Sequence, residues 1–261
     1  MPLYTADALI LRTYKLGDAD RIVVFLTSDR GKKRGVARGA RRTRSRFLGA
    51  LEPLTRVVVA YVERERRDLV QLREVETVRS PLAARDPDAL GYVGYFAELI
   101  DECAPEADPN ERLYRLGASA VEALSQGVPV ERLARYFEYW LLRLQGVYPS
   151  IVACHRCAAD FRDRGALITT RQGVFICAQC GPPAAGVDLS PEALAFLDVA
   201  ATAGPDQLAA LELSGRAGRE LEAVHRLLIS THLEKELRST KVPRGLGGAS
   251  KPRAVSVQPD Q

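Results

Sequence analysis

The sequence predicts a multidomain α+β protein, with a small closed barrel of five strands at the N-terminus and a helical domain behind it that carries a four-cysteine module. Three observations carry this reading. Apolar residues in the first 80 positions follow strand periodicity and are broken by hairpin-like turns. Around Ser80-Pro81 the apolar period changes to three or four. Two Cys-x-x-Cys corners, Cys154/Cys157 and Cys177/Cys180, then interrupt the helical pattern. With 261 residues, 46% of them hydrophobic, the chain can build two or three small cores.

The strands are expected at 8–14, 21–27, 33–37, 55–62 and 69–78. Ser28-Asp29-Arg30-Gly31 is a turn signal after the second, and a charged hairpin turn at 63–68 separates the last two. In the fourth, Val57, Val59 and Tyr61 face one way and Val58, Ala60 and Val62 the other, which suggests burial on both sides or a tightly curved sheet. Closure would remove the exposed edges of so small a sheet. An OB-type barrel is the economical solution, and an SH3-like barrel shares the periodicity. Helices are expected at 87–103, 111–125 and 130–144, with Leu113, Leu116, Ala120 and Leu124 on one stripe and Val130, Leu133, Phe137, Leu141 and Leu144 on another, beside Trp140. A short helix at 191–201 has Ser190 or Asp188 near its start as a cap, and a longer one at 218–237 places Leu221, Val224, Leu228 and Thr231 at core spacing. The boundaries are then 1–80 for the barrel, 81–240 for the helical domain with the cysteine module at 150–186, and a Gly/Pro-rich mobile tail at 241–261.

Charge is distributed unevenly. Residues 1–80 hold 18 Lys/Arg against 10 Asp/Glu, whereas 81–136 hold 5 against 10. Nine of the seventeen residues from Arg30 to Arg46 are basic and none is acidic. Mutual repulsion makes such a run costly to fold unless an anion comes to it, and a phosphodiester backbone supplies anions at regular spacing. Lys32, Lys33, Arg34, Arg38, Arg41, Arg42, Arg44 and Arg46 are the candidate nucleic-acid contacts, charge alone not separating DNA from RNA, with Arg12 and Arg56 extending the patch and Lys15 and Arg21 beside it. A solvated basic loop is the bland alternative; an anionic membrane surface fits less well without an amphipathic helix. Tyr14, Phe25, Phe47 and Tyr61 are each either core residues or platforms for bases. No pattern of base-reading residues stands out, which points to sequence-independent binding.

Nineteen residues separate the two cysteine corners, room for a short hairpin at 166–170 and 174–177 that brings them together. Four thiolates close the shell of a tetrahedral zinc ion and leave no position for water, so one structural Zn2+ per chain is expected rather than hydrolytic zinc. An iron–sulfur cluster or redox dithiol would use the same ligands. His155, between two ligands, reads as exposed or locally hydrogen-bonded, and Cys103 as a small apolar residue.

The sequence contains no P-loop, and Gly245-Leu246-Gly247-Gly248 lacks the strand–helix setting of a phosphate cradle. His225 and His232 have no partner pattern, and Glu63, Glu65 and Asp68, which could imitate nuclease carboxylates, sit in a hairpin of mixed charge. No apolar run is long enough to cross a bilayer, and the N-terminus lacks the pattern of a secretory signal. The reading is a cytosolic protein that binds nucleic acid and is not an enzyme. The alternative is a zinc-stabilised protein–protein adaptor with incidental nucleic-acid affinity.

Several stretches resemble a known family. Leu9-Ile10-Leu11-Arg12-Thr13, Gly17-Asp18-Ala19-Asp20-Arg21-Ile22-Val23, the run from Gly31 to Arg42, Arg46-Phe47 and Leu51-Glu52-Pro53-Leu54 are similar to the bacterial recombination mediator RecO, and to its form in Deinococcus-type bacteria. The match is specific over residues 8–80 and agrees in outline to about residue 240. The resemblance implies an N-terminal OB-type barrel and a C-terminal helical domain with an inserted four-cysteine zinc finger. It implies a non-enzymatic protein that binds single- and double-stranded DNA and anneals complementary strands. With RecR, such a protein helps load RecA onto strands coated by single-strand-binding protein. The family's basic residues fall here on Arg34, Arg38, Arg41 and Arg42. The four-cysteine set is not universal in the family, which suggests a scaffolding role.

Overall fold

The computed structural model describes residues 2–63, 68–83, 87–162, 164–170, 172–181 and 186–233. The expected tail at 241–261, the helix end at 234–237 and the centre of the charged turn at 64–67 lie outside the described residues. Five strands, β1 (Leu3–Leu16), β2 (Asp20–Thr27), β3 (Gly31–Ala37), β4 (Arg56–Val62) and β5 (Leu69–Arg79), close into a barrel of order β1-β2-β3-β5-β4. β3 and β5 run parallel, and β1 returns to β4. That is the Greek-key order of an OB-type barrel rather than a simple meander. β1 is longer than its alternating core because it serves two neighbours. Its first half pairs with β4 and its second with β2, and a register shift between Ile10 and Arg12 bends it.

Alternation decides what each face meets. Ala8, Ile10, Val23, Phe25, Val57, Val59, Tyr61 and Leu72 fill the barrel. Leu9, Leu11, Val24 and Leu26 point outward and join the core of the helical domain. In β4 the Val57/Val59/Tyr61 face is fully buried, while Val58 and Ala60 on the other face are only half-buried.

The basic segment after β3 is not a loose loop. Residues 38–54 wind through successive turns and send Phe47, Ala50 and Leu51 into the barrel core. Burying one Phe or Leu side chain contributes about 1.5–3 kcal/mol. Two unit charges 4 Å apart in water repel by about 1 kcal/mol, less in salt. Apolar anchoring therefore outweighs the repulsion between the exposed arginines, which answers the expectation that this run needs an anion to become compact.

Helices α1 (Pro87–Cys103), α2 (Glu111–Ser125) and α3 (Val130–Leu144) follow, with the expected boundaries. Asn110 caps α2 through the Leu113 N–H at 3.1 Å. Gly117 of α2 lets the barrel approach, since a Cβ there would lie 2.5 Å from Leu9 Cδ1 and 2.7 Å from Ile100 Cδ1. Behind α1, residues 104–108 run beside β3. The Lys32 N–H donates to Pro105 O, the Ala107 N–H donates to Lys32 O at 3.0 Å, and Gly31 at φ +69° lies so close to the Asp108 backbone that a Cβ would collide with it.

β6 (Ala166–Thr169) and β7 (Phe175–Ile176) form the expected hairpin, and a third strand, β8 (Gly186–Leu189), adds to the other edge of β6. β8 leads directly into α4 (Pro191–Ala200), whose cap is Ser190. α5 spans Gly215–Leu233, and its buried stripe is Leu221, Val224, His225, Leu228 and Ile229. Thr231, expected in that stripe, is exposed: its hydroxyl bonds back to Leu227 O within the helix.

His225 replaces it in a buried polar network. Its Nδ1 lies 2.9 Å from Glu138 Oε2 and its Nε2 3.2 Å from Tyr148 Oη. Glu138 Oε1 also accepts from Tyr95 at 2.8 Å and faces Arg135 at 3.1 Å. Burial pushes the Tyr148 hydroxyl pKa well up, so it donates to Nε2, and Nδ1–H donates to the carboxylate. Arg135 and Glu138 already balance one another, which leaves no call for a charged imidazole. Burial holds the His225 pKa below its ordinary value, against the pull of Glu138.

Glu138→Ala should strand the Arg135 charge and cost about 3–5 kcal/mol in denaturant unfolding. Below about pH 6.5 the unfolded chain takes up a proton that folded His225 resists, so stability falls with pH. Comparing pH 7.5 with 5.5, His225→Asn should remove up to about 1.4 kcal/mol of that acid sensitivity.

Candidate nucleic-acid interface and metal centre

The structure divides the ten candidate DNA contacts into two sets of five. Arg12 pairs with Asp101 at 3.1 Å. Lys32 is buried, with Nζ 2.6 Å from Asp101 O and 3.3 Å from Asp101 Oδ1. Lys33 meets Glu63 at 2.8 Å, Arg34 meets Glu106 at 2.9 Å, and Arg56 lies 3.5 Å from Asp7. The expectation of one uncompensated cluster is thus corrected for these five. The basic run contains no carboxylates, but folding brings them in from α1, from the segment behind it, from β1 and from the end of β4. Lys32 and Arg12 clamp the barrel to the helical domain. Arg34 and Glu106 are both more than half exposed, so their pair contributes little to stability.

Arg38, Arg41, Arg42, Arg44 and Arg46 are exposed, and among the described residues none of them meets a carboxylate. All lie on the segment held by Phe47 and Leu51. The turn between β1 and β2 holds its near end. The Gly39 N–H donates to Asp20 Oδ1 at 2.8 Å, and the Arg41 N–H donates to Ala19 O at 2.9 Å. Arg41 Nη1 donates to Gly17 O and Asp18 O, contacts that orient the guanidinium without neutralising it. The Arg46 guanidinium sits 4.8 Å over the Phe47 ring. Lys15 and Arg21 flank the same end of the barrel, and among the described residues neither pairs with an acid. The result is a cationic ridge on a rigid base, with its charge in water.

The aromatics also separate. Phe25, Phe47 and Tyr61 are core residues, whereas Tyr14 is 44% exposed on β1.

The four cysteines converge. All four sulfurs of Cys154, Cys157, Cys177 and Cys180 lie within 4.8 Å of one another, and Cys157 Sγ is 3.6 Å from Cys177 Sγ. These separations bracket the roughly 3.8 Å between sulfurs bound tetrahedrally at about 2.3 Å, and they are far from a disulfide bond. β6 and β7 set the spacing, and the local backbone tunes the sulfurs. The Cys177 N–H donates to Cys154 Sγ at 3.3 Å. Burial pushes the Cys154 thiol up, but N–H groups of Cys177, Cys157 and Arg156 outweigh it and bring the pKa to about 6. Four sulfurs this close cannot all lose their protons without a cation among them. His155 is exposed and takes no part, its N–H donating to Phe175 O. Cys103 packs half-buried against the helical core.

The Glu138–His225 network was not legible in the sequence. The one available signal was that His225 falls on the same helical stripe as Leu221 and Leu228, while its carboxylate lies 87 residues away.

Comparison with known proteins matches this architecture along nearly its whole length. The model of the recombination protein O N-terminal region matches residues 1–81, and that of the C-terminal region matches residues 84–241. A DNA repair protein RecO of Koribacter versatilis is 34% identical over 237 residues, covering 90% of this chain and 96% of the relative. One of Geobacter sulfurreducens is 36% identical over 245 residues, covering 92% and 97%. One of Anaeromyxobacter sp. strain K is 35% identical over 231 residues, covering 88% and 91%. Two matching family models and relatives of this identity and coverage establish that the chain belongs to the recombination protein O (RecO) family.

Proposed function

We propose that this protein is a non-enzymatic mediator of recombinational DNA repair that binds single- and double-stranded DNA and anneals complementary strands. The observation that carries the reading is the ridge of five exposed arginines free of described carboxylates, on a segment whose conformation comes from apolar anchors. Two DNA backbones meeting on such a ridge repel one another less, and base pairing then supplies the driving energy. No covalent step is required. Residues 1–80 would act as the DNA-binding domain and 81–240 as the platform for RecR, single-strand-binding protein and the RecA-loading step. Among the described residues no helix is long and apolar enough to cross a membrane, which suits a cytoplasmic, nucleoid-associated role. A Deinococcus-type source rests on the motif resemblance alone.

The tetrathiolate site suits one structural Zn2+ per chain. Cys154, Cys157, Cys177 and Cys180 would hold the ion and close its shell, so that it braces the β6–β7 hairpin rather than activating water.

Five phosphate contacts to a single strand give a salt slope of about −3.5, a loss of about 10²-fold between 50 and 200 mM salt. Arg38, Arg42 and Arg44 make no described structural contact that their replacement would break. Their joint change to Ala should reduce the slope by about 2 and slow annealing of labelled complementary strands, with far-ultraviolet circular dichroism unchanged. Annealing at the wild-type rate would instead favour the adaptor reading. Elemental analysis should find one zinc per chain, and Cys157→Ser with Cys180→Ser should remove it and lower the thermal midpoint.

A further inference from the structure

We infer that Thr43 is a phosphorylation site in the middle of the arginine ridge, used by an arginine-directed serine/threonine kinase, and that a phosphate there weakens the ridge's hold on nucleic acid. The inference rests on the phosphate-binding reading above and deepens it by naming how that surface is regulated. Residues 41–46 read Arg41-Arg42-Thr43-Arg44-Ser45-Arg46, two hydroxyls among four guanidinium groups and no carboxylate. A kinase with an acidic substrate groove meets complementary charge on both sides of either hydroxyl. The fold then separates the two. Ser45 is half-buried, and its Oγ accepts from the Phe47 N–H at 3.2 Å, which ties it to the apolar anchor of the segment. Thr43 is exposed, and among the described residues neither its hydroxyl nor its backbone is hydrogen-bonded. Turn bonds close around it without using it: the Arg42 N–H donates to Gly39 O and the Ser45 N–H donates to Arg42 O, both at 3.1 Å. Thr43 is thus presented to solvent on a fixed segment and has no structural duty there.

In the transfer, Thr43 Oγ1 forms a bond to the γ-phosphorus of ATP and the bond from that phosphorus to its bridging oxygen breaks. ADP leaves with the electron pair, and the hydroxyl proton passes to the kinase's base. The product carries about −1.5 to −2 charges at pH 7 and three strong acceptor oxygens. Arg42 and Arg44 flank it in the chain, both are exposed, and among the described residues neither meets a carboxylate. Each offers a fork of donors that matches phosphate oxygens. A guanidinium turned onto a phosphate of its own chain no longer displaces counterions from nucleic acid. Arg41, held on Gly17 O and Asp18 O, and Arg46, over the Phe47 ring, already have other contacts. Phe47 and Leu51 keep the segment in place from inside the barrel. The modification therefore lowers the charge of the ridge from five units to about three and leaves its shape intact.

The test has two arms. In the first, the full-length protein is purified with phosphatase inhibitors from the cells that naturally make it, grown with and without DNA damage. Mass spectrometry should find phosphate on Thr43. In the second, phosphothreonine is placed at position 43 during synthesis, and a thymidine oligonucleotide is titrated into the full-length protein at several salt concentrations. Withdrawing two arginines from a single strand should make the salt slope shallower by about 1.4 and weaken binding by more than about tenfold near 0.1 M salt. Far-ultraviolet circular dichroism should not change, and a protein phosphatase should restore the original slope. Thr43→Ala should bind and anneal like the unmodified protein. Thr43 free of phosphate under both growth conditions, or phosphate confined to Ser45, would overturn the site. A phosphothreonine protein with the unmodified slope would overturn the switch while leaving the ridge intact. Unmodified protein whose binding does not respond to salt would remove the ridge and the switch with it, even with phosphate found on Thr43.

Discussion

The insertion of Phe47, Ala50 and Leu51 into the barrel is the contact on which the rest of the N-terminal surface depends. These three side chains convert a stretch of like charge into a fixed object. Without them, residues 38–54 would be held only at their ends, by the hydrogen bonds of Gly39 and Arg41 to the β1–β2 turn and by Leu54, and the arginines between would lose their common base. With them, five guanidinium groups keep a shared geometry while their charge remains in water. Strength and electrostatics thus come from different residues of the same segment, the apolar ones facing in and the cationic ones facing out.

A second division of labour runs through the basic residues themselves. Lys32 and Arg12 act on the protein's own Asp101 and join the barrel to α1, and Lys33 ties the start of β3 to the end of β4. The arginines beyond β3 have no such partner among the described residues. Position along the chain decides which fate a cation meets. The residues of β3 run past the acidic segment at 101–108, whereas those after Ala37 turn away from it.

Much of this was legible in the sequence, and what was not has a physical reason. Alternation in β4 and the three-to-four spacing of α2 and α3 depend on local periodicity, so their boundaries emerged closely. Two Cys-x-x-Cys corners specify a cluster because each corner is a single turn. The neutralisation of half the basic set was invisible because its carboxylates lie far along the chain, 72 positions away for Arg34 and Glu106 and further still for Arg12 and Asp101. The Glu138–His225 contact was hidden for the same reason. Strand β8 escaped notice because Gly186 to Leu189 is too short for a period to show. The anchoring of the arginine segment escaped because Phe47 and Leu51 are sparse among polar neighbours. The aromatics could not be sorted into core and surface until the bend in β1 placed Tyr14 on the outer face.

Strand β6 stands between two unequal neighbours. It matches β8 over four residue pairs and β7 over two, and β8 continues straight into α4. The second cysteine corner hangs on the weaker side of that ladder, just after β7. Opening of the cysteine corners would therefore break only the two β6–β7 pairs of that ladder, while β6 stays registered on β8. Release of that corner would also draw Phe175 and Ile176 out of the helical core, so the apolar side chains of β7 hold what its short ladder does not.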